Sequence, residues 1–126
     1  MTTLYYLSVD IESEGDSFNN PVTSLGVIFG PADGGWPRSQ LIRFRANLHP
    51  LPGQVPDPRC MAEFWNKNQD VYNEIKATAE DASVVMTRFL LFCQQLVANF
   101  EDNPSRNGKI KIVTDCPDLY ESLYFF

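Results

Sequence analysis

The sequence predicts an α/β domain in which three strands come first, helical segments follow, and a fourth strand comes last. Three observations carry that expectation. Two apolar runs, Leu4–Ile11 and Ser24–Phe29, are each closed by turn residues. The stretch from Ile42 to Leu48 alternates apolar and polar side chains. The stretch from Val85 to Phe100 places its apolar residues at helical spacing.

Leu4–Ile11 is interrupted only by Ser8, the pattern of a central strand covered on both faces. A polar turn follows, with Glu14, Gly15, Asp16, Asn19, Asn20 and Pro21. The second strand, Ser24–Phe29, stops at Gly30 and Pro31. Asp33-Gly34-Gly35-Trp36-Pro37 reads as a hairpin loop with glycine where positive φ is needed. Ile42, Phe44, Ala46 and Leu48 then share one face of a half-buried strand, with Arg43, Arg45 and Asn47 on the other. The three strands form an antiparallel meander. His49–Pro58 is rich in proline and reads as a surface loop. A helix begins near Pro58 or Arg59, with Met61, Phe64 and Trp65 on one apolar face. The next helix is capped by Asp81 or Ser83 and carries Val85, Phe89, Phe92, Leu96 and Phe100 inward. Lys109–Thr114 is the fourth strand, expected to lie beside the first through a right-handed crossover. Asp118–Phe126 reads as a short helix. The whole, residues 1–126, is expected to be a single domain.

Composition narrows the function. A formal charge of −6 argues against loose, sequence-blind binding to a polyanion. It is compatible with nucleic acid as a substrate where bound cations face the phosphate. No unbroken run of about 20 apolar residues occurs, so no membrane span is expected. No signal-like N-terminus is seen either. The three cysteines, Cys60, Cys93 and Cys116, form no CxxC pair and read as free thiols in a reducing compartment. The expectation is a soluble, intracellular protein.

Chemistry concentrates at the end of the first strand. Asp10 and Glu12 stand two residues apart, so their side chains project to the same side. The carboxyl ends of strands are where open α/β sheets bind ligands. Two carboxylates on one face repel unless a cation lies between them, and hard cations such as Mg²⁺ or Mn²⁺ prefer carboxylate oxygens. The same pair also reads as the start of a solvated turn, and the spacing alone leaves both readings open.

Tyr6-Leu7-Ser8-Val9-Asp10-Ile11-Glu12-Ser13-Glu14-Gly15 resembles the first motif of the DEDD-type 3'–5' exonucleases, an apolar strand ending in D-x-E with glycine close behind. Pro21-Val22-Thr23-Ser24-Leu25-Gly26-Val27-Ile28 resembles their second strand. Glu63-Phe64-Trp65 with Gln69 resembles a helical segment of small phage and bacterial exoribonucleases. Ile112-Val113-Thr114-Asp115-Cys116-Pro117-Asp118-Leu119-Tyr120 resembles that group's second motif. The resemblance implies a ribonuclease H-like fold, truncated at the C-terminus, and metal-dependent removal of nucleotides from the 3' end of single-stranded RNA or DNA. It implies Asp10, Glu12 and Asp118 as catalytic residues and Asp10, Glu12 and Asp115 as ligands of Mg²⁺ or Mn²⁺, in a two-metal site. It implies Ser13 and Gly15 as substrate-binding residues.

The pattern also departs from the family. Where a second catalytic aspartate belongs, this chain has Tyr120, with Asp115 and Asp118 nearby as substitutes or as helix caps. The family's third motif, a His or Tyr base followed by aspartate, has no counterpart before Phe126. His49, the sole histidine, lies in the proline-rich loop and is not expected to be the base. Three explanations fit: a piece of a larger enzyme, a non-catalytic relative that binds a partner or nucleic acid, or a domain completed by a C-terminal segment or a second copy. Arg43 and Arg45 read as a solvated strand face ahead of a phosphate-steering one, and Phe64 and Trp65 read as core ahead of base-stacking.

Overall fold

The computed structural model describes residues 2–114. The expectations placed on Asp115, Asp118 and the helix to Phe126 lie outside the described residues. The elements run β1 (Thr3–Ser13), β2 (Val22–Pro31), β3 (Ile42–Asn47), α1 (Pro58–Glu63), α2 (Gln69–Ala77), α3 (Ala82–Leu96) and β4 (Gly108–Thr114), with short 3₁₀ turns at Arg38–Gln40 and Trp65–Lys67.

The strands form one sheet in the order β3-β2-β1-β4. The first three make the expected antiparallel meander, and β4 returns parallel to β1, with Leu7 beside Ile112 and Val9 beside Thr114. Each apolar face follows from the two-residue period of a strand. Tyr5, Leu7 and Val9 of β1 pair with Pro31, Phe29 and Val27 of β2, and Phe29, Val27 and Leu25 pair in turn with Ile42, Phe44 and Ala46 of β3. These residues lie on one face. Helix α3 covers it with Val85, Phe89 and Leu96, all buried, while Phe92 packs at the edge.

The helix starts where the sequence places it. Asp81 accepts from the backbone N–H of Ser83 at 2.9 Å and of Val84 at 3.4 Å, satisfying donors that the first turn leaves unpaired. At its far end a π-helical turn, Val97–Glu101, carries Phe100 into a cluster with Tyr5, Phe29 and Trp36, ring centroids 4.8 to 6.2 Å apart. The stretch Ala82–Glu101 is long and apolar enough to cross a membrane by length and composition, which the reading of unbroken apolar runs passed over. Its inward stripe packs on the sheet, and Arg88 on its outer side forms an ion pair with Glu80 at 2.6 Å.

Four expectations need correction. β1 is covered on one face only: Leu4, Tyr6, Ser8 and Asp10 are exposed, because among the described residues no element packs on that side. Met61, Phe64 and Trp65 do not share a face. Helix α1 ends at Glu63, the backbone turns at Phe64 (φ −125°), and Trp65 swings inward to 2% exposure while Phe64 stays 47% exposed. Helix α2 was not anticipated. Its apolar stripe, Val71, Tyr72 and Ile75, spans little more than one turn, and Ile75 alone of its residues is buried. Glu14, read as part of a polar turn, is fully buried.

Candidate active site

The end of β1 is built by hydrogen bonds that hold an irregular backbone in place. Glu12 pairs with Ser24, but the next residue, Ser13, pairs with Val22, so Thr23 is an extra residue in β2. Such bulges bend a strand and re-aim its side chains. Thr23 is fully buried, and its hydroxyl donates to the Glu12 carbonyl at 3.0 Å. The Trp65 indole N–H donates to the Ser13 carbonyl at 2.9 Å. The Glu14 N–H donates to Pro21 and its carbonyl accepts from Asp57, at 2.9 and 2.8 Å. Trp65 is thus core, as expected, but its polar edge also fixes the strand end that carries Glu12.

Beneath that turn lies a buried charge. The Glu14 carboxylate accepts from the Tyr72 hydroxyl and pairs with Lys76 Nζ at 3.2 Å. Both partners come from α2. Burial, then the hydrogen bond and charge of Glu14, push the Tyr72 phenol far above its ordinary value. A carboxylate in a polar turn, a tyrosine and a lysine four residues later were visible in the sequence. Nothing in their spacing announced that they meet.

Asp10 and Glu12 lie on the uncovered face and both are exposed. Same-face neighbours along a strand are about 7 Å apart. Glu12's carboxyl is raised above its usual range by partial burial and then by the charge of Asp10. Asp10 stands opposite Gly26, which stands opposite Arg45; Ser8, Ile28 and Arg43 form the next row. With no side chain at Gly26, a depression of about 490 Å³ opens between the carboxylates of β1 and the arginines of β3. Ser24, Val113 and Thr114 complete its rim. Parallel pairing sets Thr114 next to Val9, so β4 runs into the site beside Asp10.

The carboxylate pair suits a hard divalent cation. Both groups are accessible, they share a face, and the repulsion felt by Glu12 has no compensating base among the described residues. Among those residues no cluster of three His, Cys, Asp or Glu forms, and Asp10 and Glu12 are the two carboxylates that line the depression.

The other candidates fall elsewhere. The Ser13 hydroxyl donates to the Gly15 carbonyl at 2.6 Å, and neither residue lines the depression. Gly15 has φ +153°, and a Cβ there would lie 2.2 Å from the Asn20 amide oxygen, so its lack of a side chain makes room for Asn20. Asn20 in turn accepts from Ser17 and donates to the Val55 carbonyl, each at 3.0 Å. His49 is exposed, and its backbone N–H donates to the Glu80 carbonyl at 2.8 Å, away from the carboxylate pair. Cys60 and Cys93 are free, and burial raises both thiols. Asp115, Asp118 and Cys116 lie outside the described residues.

No protein-family model and no curated protein matches the sequence. Solved structures do match in fold. The crystal structure of cell-death related nuclease 4 (CRN-4) aligns with a TM-score of 0.58 at 19% identity, over 93% of this chain and 36% of that one. The nuclease domain of 3'hExo, a DEDDh family member solved with bound rAMP, aligns with a TM-score of 0.58 at 15% identity, over 94% of this chain and 56% of that one. The chain thus spans little more than a third and little more than half of these neighbours. At such identities the likeness establishes the fold, the ribonuclease H-like α/β arrangement expected from the sequence.

Proposed function

We propose that residues 1–126 are one DEDD-type, metal-dependent 3'–5' exonuclease-like domain, acting on the phosphodiester at the 3' end of single-stranded RNA or DNA. The observation that carries this reading is the Asp10–Glu12 pair, exposed on one face at the carboxyl end of β1 and opening onto a depression. Both solved neighbours are nucleases, which supports it. Asp10 and Glu12 would hold Mg²⁺ or Mn²⁺; such an ion, when bound, activates water and neutralises charge on the phosphate and leaving oxygen. The chain's own residues position the terminus: Thr23 and Trp65 fix the carbonyls of Glu12 and Ser13, and Ser13 and Gly15 shape the adjoining turn. Asp115 and Asp118 are the proposed further carboxylates. The free thiols of Cys60 and Cys93 support an intracellular, reducing setting.

The test is release of mononucleotides from a 3'-labelled single strand with Mn²⁺, beside an Asp10→Ala control. Slow trimming is expected. No general base stands beside the pair among the described residues, and a positioned base contributes about 10²–10⁴-fold. Trimming that survives Asp10→Ala would overturn the reading. A second reading, a non-catalytic ribonuclease H-like binding domain, draws on the two-member ligand set. Intact Mn²⁺ binding with no trimming would select it.

A further inference from the structure

The uncovered face of the sheet holds a charge pattern that the carboxylate pair does not use. Four of the chain's ten Lys and Arg residues stand on it: Arg43 and Arg45 on β3, and Lys109 and Lys111 on β4. Register fixes them there. Arg45 is level with Asp10 across Gly26, and Lys111 is level with Tyr6. All four are exposed. Among the described residues none of them forms a salt bridge, whereas Arg59, Lys76 and Arg88 each do. Arg43 is braced by the carbonyls of Leu41 and Arg38 at 3.2 and 3.1 Å, which hold the guanidinium without neutralising it.

Between these basic flanks runs an apolar and aromatic centre. Tyr6 and Val113 are each 38% exposed and Ile28 is 44% exposed. The flanking strands β3 and β4 are three strand spacings apart, about 14–15 Å. Phosphates seated on cations with bases laid over exposed rings is how sheets hold single strands without reading sequence. The chain carries a net charge of −6, yet among the described residues this face gathers four cations that form no salt bridge, with the carboxylate pair at its end.

We infer that this open face is the track for the single strand leading to Asp10 and Glu12, with phosphates on Arg43, Arg45, Lys109 and Lys111 and a base on Tyr6. The inference rests on the nuclease reading for the identity of its ligand, but it concerns binding that needs no metal.

The experiment is fluorescence anisotropy of a labelled short oligothymidylate with the full chain in EDTA, across a salt series. Four phosphate contacts at about −0.7 each give a slope of log affinity against log salt of roughly −2.8. That is about a 50-fold loss between 50 and 200 mM salt. The double variant Arg43→Ala/Arg45→Ala is expected to bind more weakly, with a slope near −1.4 and only about a 7-fold loss over the same range. Tyr6→Ala is expected to weaken binding roughly 5- to 150-fold with the slope unchanged. Arg59→Ala, away from this face, is expected to leave both untouched. Unchanged melting of each variant separates binding loss from unfolding. A slope that stays the same in the double variant, or no binding by the parent chain, would overturn the inference. So would elution of the parent chain as a dimer that Tyr6→Ala dissociates, since the face would then be a contact between copies. Trimming with Mn²⁺ but no binding in EDTA would sink the track and keep the nuclease reading; the predicted slope without trimming would do the reverse.

Discussion

Replacing Lys76 with methionine isolates the buried charge under the site. Glu14 has no exposed surface, and its carboxylate is held by Tyr72 and by Lys76 Nζ at 3.2 Å. Removing one partner of a buried pair typically costs about 3–5 kcal/mol, because the remaining charge loses its compensation. Two features reduce that figure here. The Lys76 side chain is 28% exposed, so water already screens it, and Tyr72 still donates to Glu14 after the change. The expected loss is about 2–3 kcal/mol. Urea denaturation measures it as a lower midpoint at an unchanged m-value. Adding Glu14→Gln removes the stranded charge while keeping an oxygen for Tyr72, so the double variant is expected to recover about 1 kcal/mol or more. A Lys76→Met variant within about 0.5 kcal/mol of the parent would refute the reasoning, as would a double variant less stable than Lys76→Met alone.

Trp65→Ala should cost about 3–5 kcal/mol and unfold most of the domain at moderate temperature, as should Phe89→Ala, since both are buried; a melting temperature within a degree or two of the parent, roughly 0.5 kcal/mol, would contradict this. Gly15→Ala drives a methyl group into Asn20 and is expected to destabilise by about 1–3 kcal/mol, read by the same denaturation. The Tyr72 phenol is raised in the folded chain above its ordinary value of 10.0, so the unfolded chain releases that proton first as pH rises. Stability is therefore full below about pH 10 and falls as pH climbs above it. Tyr72→Phe should flatten that alkaline decline in a series of melts.

The meander and the α3 stripe were legible because each rests on periodicity, and the place of the fourth strand because such crossovers are right-handed. Leu25, Val27 and Phe29, or Val85, Phe89 and Leu96, report their burial by spacing alone. The Asp10–Glu12 pair was legible for the same reason. What stayed hidden depends on contacts between distant residues. Helix α2 is short, and Val71, Tyr72 and Ile75 make an apolar stripe of little more than one turn, so its role in holding Glu14 through Tyr72 and Lys76 did not stand out. The bulge at Thr23 has no local signature, since valine and threonine suit a regular strand equally well. Leu4 and Tyr6 misled in the opposite direction: apolar residues on both faces of β1 implied cover that the described residues do not supply. Arg43 and Arg45 were read correctly as an exposed face. Only the register across Gly26 set Arg45 level with Asp10.

The claim on which the rest depends is that Asp10 and Glu12 together hold a divalent cation. Titration of Mn²⁺ into the full chain, followed by electron paramagnetic resonance of the free ion, addresses it directly. Two carboxylates with water completing the shell should bind weakly, with Kd on the order of 10⁻⁴–10⁻³ M. Asp10→Ala and Glu12→Ala should each abolish that binding, while Asp70→Ala, an exposed carboxylate on α2, should leave it unchanged. Binding of equal strength in all four proteins would contradict the account.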